Sequence, residues 1–209
     1  MKNLSPLAFL LAFTLSSCMT FNGKMLRRPE TTTPPSTPIS LEIKPGQMIL
    51  QLNGEGTNAG PLSATTVVSA VSESIAGTWK SKGIVSEYGK PGNLKKDPDF
   101  TLIVSGVRNE EGSIGMAVLG GLSLMIVPTS STLVYDLDVE LINNRTSVSY
   151  KAKAKNSIST VMEILFLPAL PFSLIGASSA LNDISTHLYA EFQKQGAFGG
   201  VVDKSGAKQ

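Results

Sequence analysis

The stretch from Leu133 to Lys155 restricts the possible folds more than any other part of the chain, because apolar and charged residues alternate along it. Its first half places carboxylates between the apolar side chains, and its second half places lysines there. An alternation with a period of two is typical of a β-strand that buries one face. The pattern therefore predicts an antiparallel hairpin that turns at Asn143-Asn144, residues that tolerate a positive φ.

The two faces of this predicted hairpin differ in character. The inward face carries Leu133, Tyr135, Leu137, Val139, Leu141, Val148, Tyr150, Ala152 and Ala154, and the outward face carries Asp136, Asp138, Glu140, Lys151, Lys153 and Lys155. A two-residue turn would pair Asp136 with Lys151, whereas a four-residue loop would pair Asp138 with Lys151. Either register sets acids against lysines, which stabilises a strand pair modestly. We interpret the outward face as solvated, with a charged recognition face as the alternative.

Two segments carry apolar residues at the spacing of an amphipathic helix. The first, Ser63–Lys82, has Ser63 as its predicted N-cap and Gly83 as its stop. Trp79 lies on its apolar side, so we expect it in the core rather than as a platform for a ligand. The second segment covers Asn182–Gln195, and Gly196 is its predicted stop.

Shorter apolar runs predict two further strands, Gln47–Leu52 and Phe100–Val107, with a loop at 87–98 before the second. The order strand, helix, strand, hairpin and helix predicts the α+β class. We expect a mostly antiparallel sheet of about four strands with two helices packed on one face, and two apolar inserts at one end of the hairpin. One domain would cover residues 47–195, and residues 196–209 would form a flexible tail.

The N-terminus carries the successive parts of a secretory signal. Lys2 precedes the apolar run Pro6–Leu15, which is too short to span a bilayer. The sequence Leu15-Ser16-Ser17-Cys18 then resembles the lipobox of bacterial lipoproteins, in which an aliphatic residue and two small residues precede a cysteine. The resemblance implies a signal peptide over residues 1–17, cleavage between Ser17 and Cys18, and acyl chains on Cys18 that anchor the protein to membrane lipid.

The surroundings of Cys18 refine this interpretation. Cys18 is the only cysteine, which excludes an intramolecular disulfide. In enterobacterial lipoproteins an aspartate directly after the cysteine retains the protein in the inner membrane, and Met19 stands there in this chain. The resemblance therefore implies the outer membrane, facing the periplasm, rather than the inner membrane.

The segment after the lipobox is expected to be a tether. Residues 18–46 would form the lipidated N-terminus and a Pro/Thr-rich spacer, because the prolines favour an extended polyproline II chain. An edge strand over Ile39–Ile43 is the alternative, and Pro45 would stop it.

Two further apolar segments, Ile114–Pro128 and Ile164–Gly176, are unusual for a soluble domain. Each is shorter than the about 20 residues of a membrane-spanning helix. The first enters the hairpin and the second leaves it, so both lie at the end opposite the turn. They would form either a buried subdomain or a surface for the membrane or a protein partner. The residues predicted for such a contact are Leu119, Leu122, Leu124, Met125, Leu165, Phe166, Leu167, Leu170 and Phe172.

The composition argues against several functions. A net charge of +2 gives no global basic field for nucleic acid. The chain has one His and one Cys and no HExxH, CxxC or phosphate-loop pattern, so we predict no catalytic residue, cofactor or metal ligand. His187 lies off the apolar stripe of its helix and is expected at the surface. A hydrolase that uses Asp136 and Asp138 is an alternative, but the facing lysines favour ion pairing.

The element order and the lipobox are together similar to those of small periplasmic lipoproteins. These include the auxiliary lipoproteins of ABC-type lipid-transport systems and the outer-membrane lipoproteins that activate penicillin-binding proteins. Outside the lipobox, the similarity covers about residues 47–195 and consists of element order only. It implies a non-enzymatic accessory or binding module for an envelope protein complex or a lipid. The alternatives are a structural or self-assembling envelope protein with membrane-inserted segments, and a lipid carrier.

Overall fold

The computed structural model describes residues 17–23, 26, 33–56, 61–113, 129–163 and 170–199. These residues form, in chain order, β1 (Ser17–Asn22), β2 (Ile39–Leu52), β3 (Glu55–Gly56), α1 (Pro61–Ser81), β4 (Val85–Gly89), β5 (Phe100–Gly112), β6 (Thr129–Asn143), β7 (Ser149–Glu163) and α2 (Leu170–Lys194).

The strands of the described residues form one seven-stranded sheet in the order β1-β7-β6-β5-β2-β3, with β4 paired to the first residues of β2. β2 runs parallel to β4 and β5, and the other pairs are antiparallel. Helix α1 packs on β2, β4 and β5, and α2 packs on β1, β7 and α1. The predicted α+β class with two helices is confirmed. The sheet, however, is mixed and has more strands than the expected four.

The hairpin of β6 and β7 exists, but both predicted registers are wrong. The observed cross-strand pairs are Asp136 with Lys155, Asp138 with Lys153, and Glu140 with Lys151. The turn is wider than expected because the Asn143 side chain accepts hydrogen bonds from the backbone N–H groups of Arg145 and Thr146. The positive φ of 57° falls on Ser147, not on the two asparagines.

The alternation of this hairpin orients its strands as predicted. Leu137 and Leu141 are fully buried, and Tyr135 and Val139 are nearly so. Val148 is the exception. It is 46% exposed because it lies in the turn, before β7 begins. The two-residue period therefore determines which side chains of the hairpin face inward, and the position of the turn determines where the buried part of each strand ends.

Strand β2 is much longer than predicted, and Pro45 does not stop it. The pairing of β2 with β5 is irregular between Pro45 and Met48, and such bulges accommodate proline. Gly46 permits the close approach, since a Cβ there would lie 2.5 Å from the Val104 carbonyl oxygen. The strand alternative that began at Ile39 is thus correct in its start and wrong in its end.

Strand β4 occupies part of the predicted loop at 87–98. The chain leaves α1 through a C-terminal cap in which Gly83 has a φ of 72° and Ile84 donates to the Trp79 carbonyl oxygen. This cap directs Val85 onto the edge of β2, where it pairs with Ile39. The predicted end of the helix at Gly83 is confirmed. The strand that follows, β4, forms because β2 offers it an edge with which to pair.

The core lies between the sheet and the two helices. Trp79 is fully buried, donates from Nε1 to the Ser185 carbonyl oxygen at 2.9 Å, and makes edge contacts with Tyr189 and Phe192. Its predicted core position is confirmed. The N-cap prediction at Ser63 is wrong, because α1 begins two residues earlier, at a proline, which suits a first helical turn.

The C-terminal helix is longer than its predicted Asn182–Gln195 core and begins at Leu170. Gly196, with a φ of 78°, ends it as the sequence indicates. The predicted flexible tail is too long at its start, because Ala197 is buried and the Phe198 ring packs on Phe100 and Tyr189. Residues 200–209 lie outside the described part of the chain.

Candidate functional site

The predicted lipidation residue lies at one end of the sheet. Cys18 belongs to the edge strand β1 and pairs with Met162 of β7, which in turn pairs with Thr129 of β6. Neighbouring Cα atoms in such a ladder are about 4.5–5.5 Å apart, so Cys18 and Thr129 are separated by roughly 10 Å. We call the sheet end formed by Cys18, Gly112, Thr129 and Glu163 the anchor end.

The chain after Cys18 does not form the predicted tether. Residues as far as Asn22 pair with β7, and the Gly23 N–H donates to the Ser157 carbonyl oxygen at 2.8 Å. Leu26 packs against the core. The Thr33 carbonyl oxygen accepts a hydrogen bond from the Tyr189 hydroxyl at 2.6 Å. The expected spacer is wrong over these residues because the free edge of β7 and the surface of α2 offer them partners.

The two apolar segments connect to this same anchor end. Residues 114–128 fall between the end of β5 and the start of β6, and residues 164–169 follow the end of β7. Helix α2 takes up the rest of the second segment. The contact residues predicted in these segments lie outside the described residues, except Leu170 and Phe172, which belong to the first turn of α2. Among the described residues, no helix is both long and apolar enough to cross a membrane.

The charged side of the β6–β7 hairpin forms a second feature, which we call the open face. Its members are Asp136, Asp138, Glu140, Lys151, Lys153 and Lys155, and they lie on the side of the sheet that the described helices do not cover. The ion pairs are Lys155 to Asp136 at 3.4 Å, Lys153 to Asp138 at 2.8 Å and Lys151 to Glu140 at 4.0 Å. The sequence indicated that acids face lysines, and the structure places them in three aligned rows.

The middle of the open face is the most strongly paired. The Lys153 ammonium donates a hydrogen bond to Asp138, and this bond with the attraction of the carboxylate raises the pKa of Lys153 above its ordinary value. A shallow cavity of about 400 Å³ lies between the Lys153–Asp138 pair and the Lys151–Glu140 pair, and Ser105 forms part of its lining. Each Asp of the suggested hydrolase pair is engaged by its own lysine, which favours ion pairing over catalysis.

A hydrogen-bond cluster at the opposite end of the sheet was not predicted. Asp99, directly before β5, accepts from the backbone N–H and the hydroxyl of Ser40 at 3.0 and 2.8 Å, and from Arg145 at 2.5 Å. Burial raises the pKa of Asp99, but these hydrogen bonds and the Arg145 charge outweigh it and hold the pKa below its usual value. No local pattern reveals this cluster, because its members are up to 105 residues apart.

Arg108 is a second residue that the sequence did not indicate. It pairs with Tyr135 across β5 and β6, on the side of the core, and its Nε atom is buried without a hydrogen-bond partner. Burial raises the pKa of Tyr135, and the nearby Arg108 charge opposes that rise. The guanidinium hydrogen-bonds the Tyr135 side chain, and its ion pair with Glu110, at 3.9 Å, is weak.

The remaining predicted groups do not converge. His187 is only partly exposed on α2, so its expected surface position is correct in part. No group of three or more His, Cys, Asp or Glu side chains in the described ranges could hold a metal ion. Two features therefore remain as candidate functional surfaces, namely the anchor end, which contains Cys18, and the open face.

Comparisons with known proteins add distant similarities. No known protein family and no curated protein matches the chain. Protein XCC0632 from Xanthomonas campestris, of family DUF330, matches with a TM-score of 0.41 and 14% identity over 81% of this chain and 93% of that one. A neuraminyllactose-binding hemagglutinin homolog from Helicobacter pylori matches with a TM-score of 0.41 and 10% identity over 84% and 95%. A PelC dodecamer from Paraburkholderia phytofirmans matches with a TM-score of 0.30 and 11% identity over 86% and 98%. At these TM-scores the function must be argued from the chain's own residues.

Proposed function

We propose that this chain is a non-enzymatic lipoprotein of the bacterial envelope, anchored by acyl chains on Cys18 and serving as an accessory or binding module for an envelope protein complex or a lipid. The observation that carries the proposal is the row Cys18, Met162 and Thr129. It sets the residue of the lipobox beside the points where both apolar segments leave the sheet.

The pairing of β1 with β7 gives the proposal a geometric consequence. Because the lipobox cysteine Cys18 is itself a residue of β1, acyl chains on it would hold the anchor end directly at the lipid surface. Strands β6 and β7 would then run away from the membrane. The Asp99–Arg145 cluster, at the opposite end of the sheet, would be the part farthest from the lipid. We propose the outer membrane, facing the periplasm, from the lipobox resemblance and Met19.

The apolar segments favour a second contact with the membrane. Residues 114–128 contain no charged side chain, and they join the ends of β5 and β6 that lie at the same end of the sheet as the proposed acylation site. Acyl chains and apolar side chains would then enter the same patch of bilayer, which strengthens attachment because each contributes buried hydrocarbon. A structural or self-assembling role and a lipid carrier are the competing functions, and the experiments below separate them.

Acylation is tested by expressing the full chain in a bacterial host with a labelled fatty acid. We expect label on the wild-type protein and its loss in Cys18→Ala, with Ser17→Ala as the matched control that keeps a small residue before the cysteine. Unlabelled wild-type protein in the soluble periplasm would overturn the proposal. Label together with the residues 1–17 still attached would contradict the cleavage site.

The binding role is tested by crosslinking in intact envelopes, followed by mass spectrometry. A defined heterologous envelope protein supports the accessory module. A ladder of this chain favours self-assembly, and a co-purifying acyl lipid, seen in native mass spectra, favours the carrier. Vesicle binding by the Cys18→Ala chain tests the second contact, and a complete lack of binding would eliminate it.

A further inference from the structure

We propose that the open face binds the open face of a second copy of this chain. The two copies would be related by a two-fold axis that runs parallel to β6 and β7 and lies between the two facing sheets, midway between the acidic and the basic column. The open face consists of one acidic and one basic column, and a second copy turned about this axis presents its basic column to the acidic one. The proposal thus assigns a partner to a surface that the described elements leave uncovered.

The charges select this axis. A rotation about the strand direction exchanges the two columns but keeps each residue at its own height along the strands. Asp138 then faces Lys153 of the second copy, and the rows above and below repeat the match. A two-fold axis across the strands would instead set acids against acids and lysines against lysines, which is repulsive.

The membrane geometry selects the same axis. This step rests on the proposed function, in which the anchor end lies on the lipid. Two copies related by an axis parallel to the strands carry their anchor ends at the same end of the dimer, so both can stand on one bilayer. An axis across the strands would place the two Cys18 residues at opposite ends, which one membrane cannot accommodate. The charge pattern and the proposed anchor position are independent of each other, and they select the same axis.

The composition of the open face argues for a second copy over another charged partner. It holds three carboxylates and three ammonium groups, so its formal charge is zero and a uniformly charged partner gains as much repulsion as attraction. The side chains are accessible, with Lys153 82% and Asp138 59% exposed. In the dimer each lysine would lie between two carboxylates, one from each copy.

This contact would be weak in dilute solution and effective on a membrane. Exposed ion pairs are screened by salt, so the association must weaken as the ionic strength rises. Anchoring both copies in one bilayer raises their effective concentration and orients them alike, which strengthens a contact that is weak but measurable in solution.

The experiment uses charge variants of the full chain carrying Cys18→Ala, studied by sedimentation equilibrium. The acidic variant carries Lys151→Glu, Lys153→Glu and Lys155→Glu, and the basic variant carries Asp136→Lys, Asp138→Lys and Glu140→Lys. The exchanged variant carries all six changes. We expect the wild type to dimerise with a Kd that rises about tenfold or more between about 0.05 and about 0.5 M salt. The acidic and basic variants should each be monomeric, and their mixture should form a one-to-one dimer.

The exchanged variant is the decisive control, because it keeps every ion pair within the chain and restores the match between copies. It should associate like the wild type, even if the acidic and basic variants fold poorly. The proposal is wrong if the exchanged variant stays monomeric where the wild type dimerises, or if the wild type is monomeric at every concentration and salt level. It is also wrong if the acidic and basic variants fold, by circular dichroism, but do not associate on mixing. These results do not depend on acylation, so they are separable from a failure of the proposed function.

Discussion

Arg145, at the tip of the β6–β7 hairpin, donates a hydrogen bond at 2.5 Å to Asp99, which lies 46 residues earlier in the chain. The neighbouring Asn144 reinforces this contact, since its backbone N–H donates to the Asp99 carbonyl oxygen and its side chain donates to that of Pro98. Ser40 binds the same carboxylate from the start of β2. One aspartate therefore joins the hairpin tip to two other strands of the sheet.

The Asp99 cluster predicts a specific acid sensitivity. The folded-state pKa of Asp99 is lowered from 3.8, so its ionised form contributes stability above that value, and the contribution is lost as the pH falls through the lower folded-state pKa. Asp99→Asn should reduce the free energy of unfolding by about 2 kcal/mol at neutral pH, since hydrogen bonds to a charged group are lost. The measurement is chemical denaturation between pH 7 and about pH 2.

The control for this prediction is Asp97→Asn, at an exposed position two residues earlier. It should leave the free energy of unfolding within about 0.5 kcal/mol of the wild type at neutral pH. The pH dependence below 3.8 should be shallower in Asp99→Asn than in the wild type. Equal slopes for the two chains would contradict the assigned role of Asp99.

Gly106 allows the backbones of β5 and β6 to approach closely, and it has a backbone conformation that residues with a side chain rarely adopt. Its φ is 147°, and a Cβ there would lie 2.2 Å from the Asp136 carbonyl oxygen. Gly106→Ala should therefore destabilise the protein by about 3 kcal/mol. The matched variant Gly112→Ala, on the same strand with a nearest contact of 3.5 Å, should change stability by less than about 1 kcal/mol. Similar denaturation midpoints for both variants would argue against strain at Gly106.

Trp79 joins the two helices through its indole N–H. Trp79→Phe should lower the free energy of unfolding by about 2–4 kcal/mol, because it removes the buried indole hydrogen bond to the Ser185 carbonyl oxygen and opens a cavity. Circular dichroism is the suitable probe, since Trp79 is the only tryptophan. Val148→Ala, at a position 46% exposed, should have almost no effect. A loss below about 1 kcal/mol for Trp79→Phe would rule out a buried hydrogen bond of this kind.

The contact between Gly23 and Ser157 holds the end of β1 on β7. A Cβ at Gly23 would lie 1.8 Å from Ser157 Oγ, so Gly23→Ala should cost about 1–3 kcal/mol and loosen the N-terminal strand. Ser157→Ala removes that oxygen, and the double variant should recover part of the loss. Denaturation of all four chains gives the coupling energy, and strictly additive effects would indicate that the two side chains do not meet.

In the β6–β7 hairpin, local sequence determines the orientation of the side chains, whereas tertiary contacts determine the register of the two strands. The two-residue alternation was sufficient to predict which residues of β6 point inward, because strand parity is a local property. The register was not predictable, because the wide turn depends on the Asn143 side chain and on the anchoring of Asn144 to Pro98 and Thr101. Those partners come from a distant part of the chain.

The sequence by itself determined the α+β class, the inward faces, both helices with their glycine stops, and the resemblance of residues 15–18 to a lipobox. These features depend on residue spacing and on local backbone preference. Only the tertiary structure decided that Ile39–Leu52 is one strand, that Val85–Gly89 is another, and that Cys18–Asn22 lies on the sheet instead of in a tether. Short or interrupted strands form where a sheet edge offers hydrogen-bond partners, and that edge exists only once the chain has folded.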